Sequence, residues 1–363
     1  MRRREFARNL LGLPLAAALP SLSYAAEKDN PHPMPPGGSI TDVPGLKVGH
    51  YTLTERPTGC TVLLCEAGAT AGVDVRGSAP GTRETDLLSP INAVQQVHAI
   101  LLAGGSAYGL DAAAGVMHYL EERNIGYKIG RLGVVPIVPA AILIDLGVGN
   151  FKIRPTAESG YKACLSATAG PVPEGNVGAG AGATIGKMFG PEFRMKGGLG
   201  TASVRIGTTG IVVGALAAVN AVGDVVDPRT GKVLAGARAA DGEGFRDSMA
   251  AMLDGEHVVL ENAANTTLGV VATNVPFSKV EMTKIAQMAH DGYARAINPV
   301  HTMADGDTVF ALSTGTASVN ADVSAIGAIA AVVMSRAIVR AVMQAASLPD
   351  FGLVAWRDYK VRD

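Results

Sequence analysis

Short apolar stretches, each closed by glycine or proline, recur along most of the chain and predict strands. They fall at Thr61–Cys65, Ala69–Val75, Ala99–Leu102, Val134–Val138, Val204–Ile206, Ile211–Val219, His257–Leu260, Leu268–Thr273 and Thr308–Ser313. Three stretches carry helical spacing instead. Asp111–Arg123 follows a glycine turn. A second helix begins at Ser278, where Ser278 and Glu281 have capping-box spacing, shows an Ile285/Met288/Ala289 stripe and stops at Asn298-Pro299. The third, Val323–Ser347, is apolar nearly all round its first half, as a buried helix must be, with Arg336 and Arg340 interrupting it. Strands bunched around a few long apolar helices predict an α/β layered sandwich.

Composition sharpens that expectation. The chain has 363 residues, 48% hydrophobic and 17% charged, with 45 glycines. Its apolar content is mostly alanine and valine, so sheets and helices can approach closely. Net charge is −1 with no basic run, which argues against a nucleic-acid partner and a membrane-surface helix. Residues 1–25 combine Arg3-Arg4-Glu5-Phe6, a short apolar middle and the small-x-small exit Ser23-Tyr24-Ala25. That is the pattern of a twin-arginine export signal, giving a periplasmic or secreted protein with no stable membrane insertion after its removal. Residues 26–42 read as a tether and 43–363 as the folded domain.

Cys60, Cys65 and Cys164 form no metal pattern. Cys60 and Cys65, five apart in one strand, point to opposite faces and read as buried small side chains rather than a disulfide. Gly178, Gly180 and Ala183 fit a dinucleotide fingerprint, but no acidic residue follows about twenty positions on and no clear βαβ unit surrounds them. Glycine there permits close backbone approach, and no cofactor is called for.

Chemistry concentrates at Asn265-Thr266-Thr267, between the predicted strands His257–Leu260 and Leu268–Thr273. A hydroxyl residue at such a junction can attack the preceding carbonyl. Hydrolysis of the resulting ester leaves Thr266 with a free α-amine, which titrates near about 7.7–8.0 and can act as base to its own hydroxyl.

Around it stand, in order, Val48-Gly49-His50, the run from Gly72 to Asp86, Leu102-Ala103-Gly104-Gly105-Ser106-Ala107-Tyr108-Gly109-Leu110-Asp111, the run from Gly175 to Lys187, and Asp305-Gly306-Asp307-Thr308. With Asn265-Thr266-Thr267, this ordered set resembles the DmpA-type self-processing aminopeptidases. That group includes L-aminopeptidase/D-esterases, β-peptidyl aminopeptidases and nylon-oligomer hydrolases. The resemblance spans roughly residues 43–315. It implies an αββα-type single domain that cuts itself at Asn265–Thr266 into an α chain and a β chain, 266–363. It also implies a homo-oligomer and a small peptide or amide substrate. Thr266 is the implied nucleophile, with Lys187, Asn220, Asp305 and Asp307 in the positions that surround it in the nylon-oligomer branch. Each suits its place: lysine to stabilise charge or take a proton, asparagine to donate to an oxyanion, the aspartates to hold the new ammonium. Ile144 stands where that branch carries a tyrosine. Two other readings share the fold: an acyltransferase of the ornithine-acetyltransferase type, and a non-catalytic periplasmic binding protein that never cleaves.

Overall fold

A computed structural model describes residues 37–256, 258 and 265–359. The export signal, most of the tether and the strand expected at His257–Leu260, apart from Val258, lie outside the described residues. Among the described residues nine strands make one mixed sheet: β1 Lys47–Thr52, β2 Gly59–Val75, β3 Thr82–Arg83, β4 Gln96–Ala103, β5 Ala140–Ile142, β6 Gly198–Arg205, β7 Val212–Asn220, β8 Thr266–Thr273 and β9 Thr308–Ser313. Five α-helices among the described residues accompany them: α1 Ala112–Glu121, α2 Ala157–Leu165, α3 Ser248–Leu253, α4 Lys279–Ala296 and α5 Val323–Gln344.

Strand order is β6-β7-β8-β9-β2-β4-β5-β3, with β1 also paired to β2. The long β2 joins two halves. Its Thr70–Val75 segment pairs with β9, whereas Gly59–Leu64 pairs with β1, and the register against β4 shifts between Leu64 and Ala69. Gly68, at φ +85°, lies within that break. The two expected strands Thr61–Cys65 and Ala69–Val75 are thus one interrupted strand.

Alternation of side chains builds three apolar layers from these halves. Leu216, Ala218, Val270 and Ala272 share a central cluster with Leu63, Cys65, Ile100 and Leu102. Their neighbours Ala217, Val219 and Val271 pack on α4 and α5. Val62, Leu64, Ala99 and Leu101 pack on α1 and α2. Helices, one half of the sheet, the other half, helices: the αββα expectation holds. Cys60 belongs to the α1/α2 side and Cys65 to the centre, both free and buried.

Small residues set the layer spacing. A Cβ on Gly200 of β6 would stand 2.2 Å from the Ala337 carbonyl of α5, and one on Gly115 of α1 would stand 1.7 Å from Ala157 O at the start of α2. Helix α2 was not anticipated because its buried face, Ser159, Gly160, Ala163 and Cys164, carries almost no apolar signal. Ser278 closes the expected capping box at α4, its backbone N–H donating to Glu281 Oε2 at 2.8 Å. The expected strand Val134–Val138 shrinks to Gly133–Val135 in a small hairpin with Tyr127–Ile129.

The boundary at residue 43 also moves. Ile40 is fully buried in the central layer, and its N–H donates to Thr201 Oγ1 at 2.9 Å. The end of the supposed tether is therefore part of the folded unit, because one large apolar side chain anchors it.

Candidate active site

Thr266 opens β8 and pairs directly with Asn220, the last residue of β7. Both side chains continue the row that faces the central layer, since Leu268 and Ala218 lie on that face two residues away. Each is buried. Thr266 Oγ1 donates to the carbonyl oxygen of Asn265, the residue before it. That same oxygen accepts the Gly306 N–H at 3.0 Å, where the parallel β8/β9 pairing runs on into an Asn265–Asp305 bridge. Hydroxyl and amide donor therefore converge on one peptide group.

Gly306 is required by space. A Cβ there would sit 2.6 Å from Thr266 Oγ1 and 2.5 Å from Ala79 O. The loop carrying Ala79 is tied to the same turn: Ala79 N–H donates to Asp305 O at 2.9 Å, and Gly77 N–H to Asp307 O at 3.1 Å. The run from Gly72 to Asp86, distant in sequence, thus forms one wall behind Asp305-Gly306-Asp307.

The two aspartates have different partners. Asp305 Oδ2 accepts the backbone N–H of Thr302 at 2.9 Å and its hydroxyl at 2.6 Å. Burial, and then the neighbouring charge of Asp307, push the Asp305 carboxyl above its ordinary value. Asp307 Oδ1 accepts Thr267 N–H at 2.7 Å, and Oδ2 accepts from His301 Nδ1 at 2.8 Å. Asp307 therefore binds the residue after Thr266.

Lys187 follows Gly186, which turns at φ +66°, and its Nζ donates to Asn220 Oδ1 at 2.9 Å and Asn220 O at 3.1 Å. Asn220 Oδ1 also accepts Thr184 N–H at 3.0 Å, while Nδ2 donates to Ile144 O at 3.1 Å. The Ile144 segment thus contributes a backbone carbonyl. The acidic group in that segment, Asp145, is committed elsewhere: it pairs with fully buried Arg56 at 2.6 Å and accepts from Thr58 Oγ1 and Gly105 N–H. The glycine run gives the close approach expected of it, with a Gly182 Cβ 2.2 Å from Pro57 O. Lys196, fully buried, ties that run to β6 through the carbonyls of Gly180, Ala183 and Gly197 at 2.8–3.0 Å, and burial lowers its amine to about 7.

All five residues singled out from sequence meet around one peptide group, directly or through one another. Gly306, Thr302, His301 and Tyr293 were missed. Gly306 stands between the two aspartates and contributes a backbone N–H, for which a sequence has no pattern. Tyr293 extends the α4 stripe four residues beyond Ala289, and its hydroxyl, shared between Thr267 O and Thr308 O at 3.2 Å, had no pattern to announce it.

The sequence profile of Peptidase family S58 matches residues 38–353. The chain belongs to Peptidase family S58. It is accordingly a hydrolase of the peptidase kind. An uncharacterized aminopeptidase of Mycobacterium tuberculosis is 44% identical over 346 residues, covering 88% of this chain and 97% of that protein. A 6-aminohexanoate-oligomer endohydrolase of Agromyces is 36% identical over 318 residues, covering 83% and 84%. A Burkholderia beta-aminopeptidase structure superposes with a TM-score of 0.64 at 23% identity, over 92% of this chain and 97% of that one. The L-aminopeptidase D-Ala-esterase/amidase of Ochrobactrum anthropi, described as a variant of the Ntn hydrolase fold, gives 0.65 at 20% identity, over 91% and 94%. These two structures establish the likeness of fold.

Proposed function

We propose that this S58 protein is a self-processing N-terminal-threonine hydrolase that cleaves amide bonds of short peptides or peptide-like oligomers, as an aminopeptidase. One observation carries the reading: the Thr266 hydroxyl and the Gly306 N–H both engage the carbonyl of Asn265.

In maturation, Thr266 Oγ1 attacks the Asn265 carbonyl carbon, and Gly306 N–H stabilises the oxygen as it gains negative charge. The C–N bond breaks, the Thr266 nitrogen takes a proton to become an amine, and an ester joins the two pieces. Water hydrolyses the ester, leaving an Asn265 carboxylate and a free Thr266 hydroxyl. In turnover, the same hydroxyl attacks a substrate amide, its proton passing to the Thr266 amine or Lys187 and on to the leaving amine. Asn220 keeps one Nδ2 hydrogen beyond that given to Ile144 O, available to the substrate oxyanion. Asp305, or Asp307 once rearranged, holds the new ammonium. Water then releases the acyl group.

The names of the aligned relatives support both a peptide and an aminohexanoate amide as substrate class. A panel of short L-, D- and β-amino-acid amides with aminohexanoate oligomers distinguishes them, and an added amine acceptor exposes acyl transfer. Export by the twin-arginine route and assembly of several αβ units belong to the same proposal. Replacing Arg3 and Arg4 by lysine should hold the protein in the cytoplasm on fractionation, and light scattering of the mature protein should give a multiple of the αβ mass. Purified protein should run as two fragments, the smaller beginning Thr-Thr-Leu-Gly-Val; an intact active chain overturns the reading.

A further inference from the structure

His301 lies on the turn between α4 and β9 and has φ +56°, a left-handed conformation uncommon outside glycine that histidine, asparagine and aspartate adopt more readily than other residues. The turn is exposed at Met303, yet the His301 side chain points inward with only 16% exposure. Its Nδ1 meets Asp307 Oδ2 at 2.8 Å, and its backbone N–H meets the same oxygen at 3.3 Å. A carboxylate only accepts, so Nδ1 carries the hydrogen. Among the described residues His301 Nε2 is buried without a hydrogen-bond partner.

The contacts form a closed ring around Thr267. Asp307 Oδ1 accepts the Thr267 N–H at 2.7 Å, and the Tyr293 hydroxyl reaches the Thr267 carbonyl at 3.2 Å. His301 and Tyr293 stack with centroids 5.8 Å apart and planes 27° from parallel, closing the circuit. The His290 ring packs edge-on against His301 at 4.7 Å and against Tyr293 at 5.1 Å. Thr267 is the residue directly after the proposed nucleophile. Rotation of its peptide would carry Thr266 Oγ1 off the Asn265 carbonyl.

We infer that His301 is a positioning residue for self-cleavage: by donating to Asp307 it fixes the peptide of Thr267 and so aims the Thr266 hydroxyl. Its part is played through Asp307, and it touches neither the scissile bond nor a substrate. The inference rests on the function proposed above. It requires a hydrogen-bond donor at position 301, not merely a residue that tolerates positive φ.

Three replacements separate those requirements. His301→Asn keeps a donor near the Nδ1 position and accepts the backbone conformation. His301→Asp has the same shape but turns donor into acceptor, and His301→Gly relieves the backbone while removing the side chain. Self-cleavage of freshly purified whole chain is followed by denaturing gel at pH 8, with thermal unfolding of each replacement in the uncleavable Thr266→Ala chain as a check on folding. The expected result is a His301→Asn rate within about threefold of the unchanged protein and at least tenfold slower cleavage in His301→Gly and His301→Asp, with cooperative unfolding throughout. In any matured fraction, kcat should fall while KM stays constant. Cleavage of His301→Gly or His301→Asp as fast as His301→Asn overturns the inference, as does a slow but well-folded His301→Asn. If one of the acceptor or side-chain-free replacements fails to unfold cooperatively, the other still decides against asparagine. An unchanged protein that never splits fails at the underlying function instead.

Discussion

Two of the buried polar clusters in this sandwich are finished differently. Around Arg56 and Asp145 every nitrogen of the guanidinium and both carboxylate oxygens have partners. Arg56 donates to Ile153 O, Asp145 O, Val148 O and Asp145 Oδ1 at 2.6–2.7 Å, while Thr58 and Gly105 supply Asp145 with further donors. Around Thr266 the network is less complete: among the described residues Asn265 Oδ1, Thr267 Oγ1, His301 Nε2 and His290 Nδ1 are buried without partners. Two carboxylates share that neighbourhood, and Asp305 is displaced toward its neutral form. Saturation makes a strut; spare hydrogen-bonding capacity and displaced protons mark groups that have yet to act.

The largest expected difference comes from Thr266→Ala. It should abolish both self-cleavage and turnover while leaving thermal stability nearly unchanged, whereas Thr266→Ser should retain part of each. Loss of folding in Thr266→Ala would make this cluster a strut too. Next is Gly306→Ala, whose methyl would collide with the Thr266 hydroxyl and displace the N–H proposed to hold the oxyanion. Cleavage followed by gel should slow by about 100-fold or more, and an unaffected rate would remove Gly306 from the chemistry.

Arg56→Met tests the opposite cluster. Stranding the buried Asp145 charge should cost roughly 3–5 kcal/mol in denaturant unfolding, with turnover per folded molecule preserved. A specific loss of turnover at full stability would erase the contrast between the clusters. The smallest effect is a shift in pH dependence. The charge of Asp307 helps raise the Asp305 carboxyl, so Asp307→Asn lets Asp305 ionise at lower pH. If ionised Asp305 supports cleavage, the acid limb of its rate profile should move to lower pH, whatever happens to the maximum. An unmoved or raised limb would separate Asp305 from that limb.

Much of this contrast was legible in the chain, for a physical reason that differs by region. Strands such as Thr308–Ser313 and helices such as α4 announce themselves because burial imposes a period and caps impose residue types. The Thr266 neighbourhood was readable through an ordered set of motifs, and the structure adds why their spacing works: Asn220 ends the strand beside Thr266, and Ala79 backs the Asp305–Asp307 turn. Helix α2 escaped because alanine, serine and glycine form its buried face. Gly306 escaped because its contribution is a backbone N–H and an absent side chain, neither of which has a sequence pattern. His301 and Tyr293 escaped because their relation to Thr267 exists only after the chain folds.

Mass spectrometry of purified, active protein addresses the central claim most directly. Two species are expected, one of them starting at Thr266 with a free amine. Full activity in a preparation whose Asn265–Thr266 bond is whole would contradict it.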